Sequence, residues 1–108
     1  MEQIKELKSI SAGTQTRDYY QSHCGEMIPK YNETQYIGAR AVAIPNKVDA
    51  FFGKEYYIGT FFAAYEKKET FGTKRHYVFV NIEQSTDKSC DWNEVDLNSG
   101  SYNIYLFK

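Results

Sequence analysis

"EYYIGTFFAAYEKKETFGTKRHYVFVNI" runs from Glu55 to Ile82, and its reading decides the rest. Its two ends are rich in Tyr, Phe, Val and Ile, the residues that suit a pleated, half-buried surface. Its middle, "EKKETFGTKR" from Glu66 to Arg75, is charged and contains a glycine. Two strands, Glu55 to about Lys67 and Lys74 to Glu83, joined by a turn at Gly72, form a β-hairpin. A two-residue turn at Phe71-Gly72 pairs Glu69 with Lys74. A three-residue turn with Gly72 in the left-handed region shifts the pairing by one and brings Phe62 and Ala64 into the facing set. Phe is poorly suited to a positive φ, which favours the three-residue turn. In either register Val78, Val80 and Ile82 share a face and are expected in the core.

Working outward, "DWNEVDL" has Asp91 three residues before Glu94, a spacing that resembles a capping box and predicts a helix start. Gly100 ends it. "SYNIYLF" alternates Tyr102, Ile104 and Leu106 with Asn103, Tyr105 and Phe107. Both sets are partly apolar, as in a strand well inside a sheet. Upstream, "TQYIGARAVAI" predicts a strand from Thr34 to Ile44, stopped by Pro45, which has no amide for a ladder. "PNKVDAFFG" places Val48, Phe51 and Phe52 on one side of a short helix that starts at Pro45 or Asn46 and stops at Gly53. "EQIKELKSI" puts Ile4, Leu7 and Ile10 on one side of another, and "SAGTQTR" reads as a polar loop. "RDYYQSHCGEM" fits a short helix capped by Thr16 and ended by Gly25, or an ordered loop.

The expected fold is α+β: a single compact domain over residues 1–108 with a mainly antiparallel four- to five-stranded sheet and short helices. A small five-stranded barrel is the alternative, should "DYYQSH" or its surroundings add a strand. At 108 residues one modest core is the limit. Repeats, low-complexity tracts and Pro/Gly-rich linkers are lacking.

Aromatic residues are 17% of the chain, with ten Tyr and seven Phe. Tyr, Phe, Ile, Lys and Asn, residues with AT-rich codons, are all abundant, which points to a low-GC genome or its phages and plasmids. The N-terminus lacks an apolar signal core and no apolar run is long enough to span a membrane, so the expected location is the cytoplasm. There, Cys24 and Cys90 are expected as free thiols. Net charge is −1, which argues against a general nucleic-acid binder. The charge is segregated, however: Lys67, Lys68, Lys74 and Arg75 dominate the hairpin middle, and Glu83, Asp87, Asp91, Glu94 and Asp96 follow it.

Chemical motifs are sparse. No glycine-rich phosphate loop, CxxC, HExxH or EF-hand loop occurs. The soft ligands His23, Cys24, His76 and Cys90 lack the close-spaced pairs of zinc sites, and no metal or other cofactor is expected. A nucleophilic pair of Cys24 or Cys90 with His76 would need an orienting group and an oxyanion hole that the sequence does not supply. Binding residues are better represented. Arg17 adjoins Tyr19 and Tyr20, and the hairpin adds Lys67, Lys68, Lys74 and Arg75. Tyr–Arg mixtures make protein interface anchors, and aromatic rings beside basic groups stack bases and hold phosphates.

These features lead to the expectation of a small non-catalytic module that binds a protein or protein–nucleic acid complex and inhibits or regulates it. An inhibitor of host defence from a phage or mobile element, such as an anti-CRISPR protein, is the specific form. Single-stranded nucleic-acid binding is the alternative, and a small enzyme or small-molecule binder the second alternative. No membrane partner is expected.

Overall fold

The computed structural model describes residues 14–47 and 54–108. Helix α1 covers Thr14–Gln21 and is followed by β1 (Cys24–Met27), a 3-10 turn (Thr34–Tyr36) and β2 (Arg40–Pro45). Then come β3 (Tyr57–Glu69), β4 (Gly72–Ser85), β5 (Glu94–Asn98) and β6 (Tyr102–Phe107). The six strands form one antiparallel sheet in the order β1-β6-β2-β3-β4-β5.

The antiparallel sheet was expected, but it has six strands rather than four or five. One addition is β1, from "CGEM", which pairs with β6 where a helix end or loop was expected. The other is β5, which replaces the helix expected after Asp91. The Asp91 side chain accepts the Asn93 N–H and so closes a local turn instead of a helical one. Beyond it, Val95 and Leu97 pack against the core while Glu94 and Asp96 are exposed. That alternation has the period of a strand.

The strand expected from Thr34 begins only at Arg40. Thr34–Tyr36 is a 3-10 turn, and Gly38 stands at φ +97°, which breaks the extended run. Pro45 closes β2 as expected rather than opening a helix. The rest of the expected helix, with Val48, Phe51, Phe52 and Gly53, lies outside the described residues. So does the expected helix carrying Ile4, Leu7 and Ile10.

The sheet has to curl. In a flat sheet β5 and β6, four positions apart, would be separated by about 19 Å. The chain from Asn98 to Tyr102 spans at most about 14 Å. Curling brings them together around a core of large side chains: Tyr57, Phe61, Tyr77, Phe79, Leu97 and Tyr102. A second cluster lies on the outer face, where Tyr20 of α1 packs with Val42, Ile44, Tyr56 and Ile58. β2 therefore serves both clusters, Ala41 and Ala43 on one side and Val42 and Ile44 on the other. β6, between β1 and β2, does the same with Ile104 and Tyr105, as its two apolar faces implied.

Irregularities in the hairpin set which side chains reach the core. Its turn residues are Thr70 and Phe71, giving the pair Glu69↔Gly72, so neither expected register holds. Gly72 does take a positive φ, +115°. Register shifts follow at Phe61/Ala63 and Ile58/Thr60. At the second, residues 81–83 of β4 stand against the single Gly59, with Asn81 at φ 51°. A Cβ on Gly59 would come within 3.0 Å of the Val80 carbonyl oxygen and of Ile82 Cδ1, so the close approach needs glycine. These shifts overturn one expectation. Tyr77, Phe79 and Ile82 are buried, whereas Val78 and Val80 point to the outer face and are only partly buried. The extra residue before Ile82 returns it to the inside, which strict alternation could not foresee.

Candidate interaction surface

The end of the β3–β4 hairpin reaches past β5, whose pairing with β4 stops at His76↔Asn98. At its apex Phe71 is 93% exposed. Lys67, Lys68 and Lys74 are exposed around it, with Lys67 opposite Lys74. A hairpin turn can only be reversed in this way by leaving its apex outside the core. Nothing in that requirement asks for a phenylalanine there.

Arg75 behaves differently. Its guanidinium donates to Glu33, a carboxylate only 1% exposed, and reaches Glu66 at 3.4 Å. Glu33 also accepts the Tyr31 N–H at 2.8 Å and the Tyr77 hydroxyl at 3.1 Å. Burial alone would raise the Glu33 carboxyl, but these hydrogen bonds outweigh it and hold it below the ordinary carboxylate range. Glu33 in turn lifts the Arg75 guanidinium. The network ties the loop before the 3-10 turn to the base of the exposed hairpin. Arg75 belongs to the charge pattern of the tip, whereas its partner Glu33, 42 residues away, carries no such signal in the sequence.

On the outer face of the hairpin His76 lies between two carboxylates. Its Nδ1 is 2.6 Å from Asp96 Oδ1 of β5, and its Nε2 is 3.5 Å from Glu69 Oε1 of β3. Tyr65 stacks on the imidazole at 5.3 Å and donates its hydroxyl to the same Asp96. That hydrogen bond raises the Tyr65 phenol, with desolvation and the Asp96 charge adding to it. The group clips edge strand β5 to the hairpin.

Arg17, Tyr19 and Tyr20 are on α1, at the other end of β3. Tyr20 is fully buried and stacks on Tyr56, just before β3, at 5.1 Å. Burial pushes its hydroxyl well above the ordinary value. Tyr19 donates to Gln84 and meets His23 edge-on at 5.0 Å. Arg17 is partly exposed. The expected binding residues thus fall into two groups, and the structure does not bring them into one patch. Beside α1 lies a cleft of about 300 Å³ lined by Tyr19, His23, Arg40, Glu83 and Phe107 among others. Arg40 covers the Phe107 ring at 3.6 Å and is bound in a fork by Glu83, so its charge is already answered.

Both cysteines are free. Burial pushes the Cys24 thiol up to about 11, and its Sγ lies 3.4 Å from the Tyr20 carbonyl oxygen. Burial, with Asp87 nearby, also raises Cys90. Both shifts oppose thiolate formation and hence nucleophilic attack at neutral pH. Among the described residues no group of three or more His, Cys, Asp or Glu side chains is placed to hold a metal ion. No described helix is long and apolar enough to cross a membrane, a statement that does not extend to strands. A scan against protein-family models, a search of curated proteins and a search of solved structures each found no match.

Proposed function

We propose that this chain is a non-catalytic interaction module that docks the tip of its β3–β4 hairpin into a larger macromolecule and so inhibits or regulates it. The observation that carries the reading is Phe71, 93% exposed at an apex whose two strands carry the exposed Lys67, Lys68 and Lys74 three to four residues away. An aromatic anchor within a polar, charged rim is the usual anatomy of a protein-binding hot spot. The Glu33–Arg75 lock supports it, because a pre-ordered hairpin loses less entropy on docking. The partner surface would be acidic with an apolar pocket for the Phe71 ring. Low-GC composition adds the narrower proposal that the partner is a host-defence complex and the chain a phage or mobile-element inhibitor of the anti-CRISPR kind.

Affinity capture from an extract of the host cell tests the docking. The wild-type chain retains a partner that a Lys67→Glu, Lys68→Glu, Phe71→Ala triple variant of equal melting temperature does not. Equal retention by the two overturns the reading. Single-stranded nucleic-acid binding is the second reading, favoured by the same exposed lysines and Phe71, although Tyr20 is taken into the core. Fluorescence anisotropy with oligonucleotides at low salt discriminates, since phosphate contacts give affinity that falls steeply with salt.

A further inference from the structure

The outer face of the hairpin and β5 has a definite layout. Cross-strand pairs place Lys67 beside Lys74, Tyr65 beside His76, Ala63 beside Val78, Val78 beside Asp96, and Val80 beside Glu94. Side chains alternate along β4, so with Tyr77 and Phe79 inside, Lys74, His76, Val78 and Val80 point outward together. α1 packs on the outer face of β2, and Val78 and Val80 remain half-exposed. One end of the face is mainly basic, with Lys67 and Lys74 exposed and Glu69 turned to His76. The other end is acidic, with Glu94 exposed and Asp96 44% exposed. The valines share the rows of the acids, Val78 with Asp96 and Val80 with Glu94.

We propose that this face is the contact of a two-fold dimer, and that its occupant is a second copy of the same chain. The argument is charge complementarity. A two-fold axis lying in the contact plane, across the strands between His76 and Val78, turns one copy end over end. Lys74 of one copy then meets the row of Val80 and Glu94 of its partner, the reciprocal pair forms at once, Val78 lies beside the axis, and the Lys74 stem covers the partner's Val80. The strands of the two sheets stay roughly aligned, as in packed sandwiches. An axis parallel to the strands would stack the lysine ends on each other, which like-charge repulsion disfavours. The contact rests on exposed charges, so the dimer is expected to be salt-sensitive.

Sedimentation velocity over a concentration series at low salt tests the proposal on the full chain. The wild-type chain dimerises. Lys74→Glu alone and Glu94→Lys alone each weaken the dimer at least tenfold, because every opposed pair then carries like charges. An equimolar mixture of the two variants recovers a heterodimer, since each opposed pair again has one charge of each sign. Both positions are exposed strand sites, and circular dichroism checks that the variants fold. A wild-type chain monomeric throughout, wild-type dimerisation by either variant, or a mixture no stronger than its parts would overturn the proposal.

Discussion

Glu33 shows how far a single residue's role can depend on where the chain returns. In sequence it is one acid in a polar stretch. In the structure it is buried against Arg75, Tyr77 and the Tyr31 amide. Removing one partner of a buried ion pair leaves the other charge uncompensated, so Glu33→Gln should cost about 3 kcal/mol in urea unfolding at pH 7. The pH dependence follows from its lowered folded-state value. The unfolded chain takes up the proton first, near the ordinary glutamate value of about 4.3. The Glu33 contribution is therefore complete above that pH and is lost as the pH falls through the lower folded value. The gap between wild type and variant should narrow over that acid range; a constant gap would mean the carboxylate charge is not responsible. A second residue-scale test separates the faces of β4. Phe79→Ala should cost about 3–5 kcal/mol by opening a core cavity. Val80→Ala, on the half-exposed side, should cost about 1 kcal/mol or less. Comparable losses at the two positions would contradict the inward and outward assignment.

At the scale of elements, the hairpin was legible because local signals agreed: β-branched and aromatic runs, a glycine, and charge between them. Its register was not, because the register depends on irregularities held by neighbours. Gly59 is the clearest case. A Cβ there would press on Val80 and Ile82 from the facing strand, so Gly59→Ala should destabilise by about 1–3 kcal/mol, read as a lower melting temperature. An unchanged melting temperature would show that β4 moves aside freely. The spacing of Asp91 and Glu94 imitates a helix cap although β5 is a strand. The competing evidence, Val95 and Leu97 alternating with Glu94 and Asp96, was present but covers only a few residues. β5 is clipped to the hairpin by His76, Tyr65 and Asp96. Asp96→Ala should speed amide hydrogen exchange across residues 94–98 and leave β2 and β6 protected. Uniform acceleration through the sheet would mean that the edge strand opens only with the whole domain.

For the whole molecule, the decisive fact is the curl that lets three residues join β5 to β6. It encloses one aromatic core and leaves α1 to cover the other side of β2. The end of the hairpin projects because β3 and β4, 13 and 14 residues long, outrun β2 and β5, 6 and 5 residues long, and this leaves Phe71 and the nearby lysines exposed. Replacing Lys67 and Lys68 by Glu should weaken partner binding while changing stability by no more than about 0.5 kcal/mol, because both side chains are exposed. Unchanged affinity would remove the hairpin tip from the contact.

Sequence alone determined the antiparallel character of the sheet, the hairpin, the stop of β2 at Pro45 and the C-terminal strand with two apolar faces. Each of these rests on interactions among near neighbours, so propensity and periodicity suffice. The tertiary structure decided that Tyr77 and Phe79, not Val78 and Val80, face the core. It also turned Arg75 into a lock on Glu33, buried Tyr20 of α1 against β2 and Tyr56, and made a strand of β5. These outcomes depend on contacts between residues far apart in the chain. An extra residue in one strand of a pair exchanges its faces, and that choice is made by packing against the rest of the sheet.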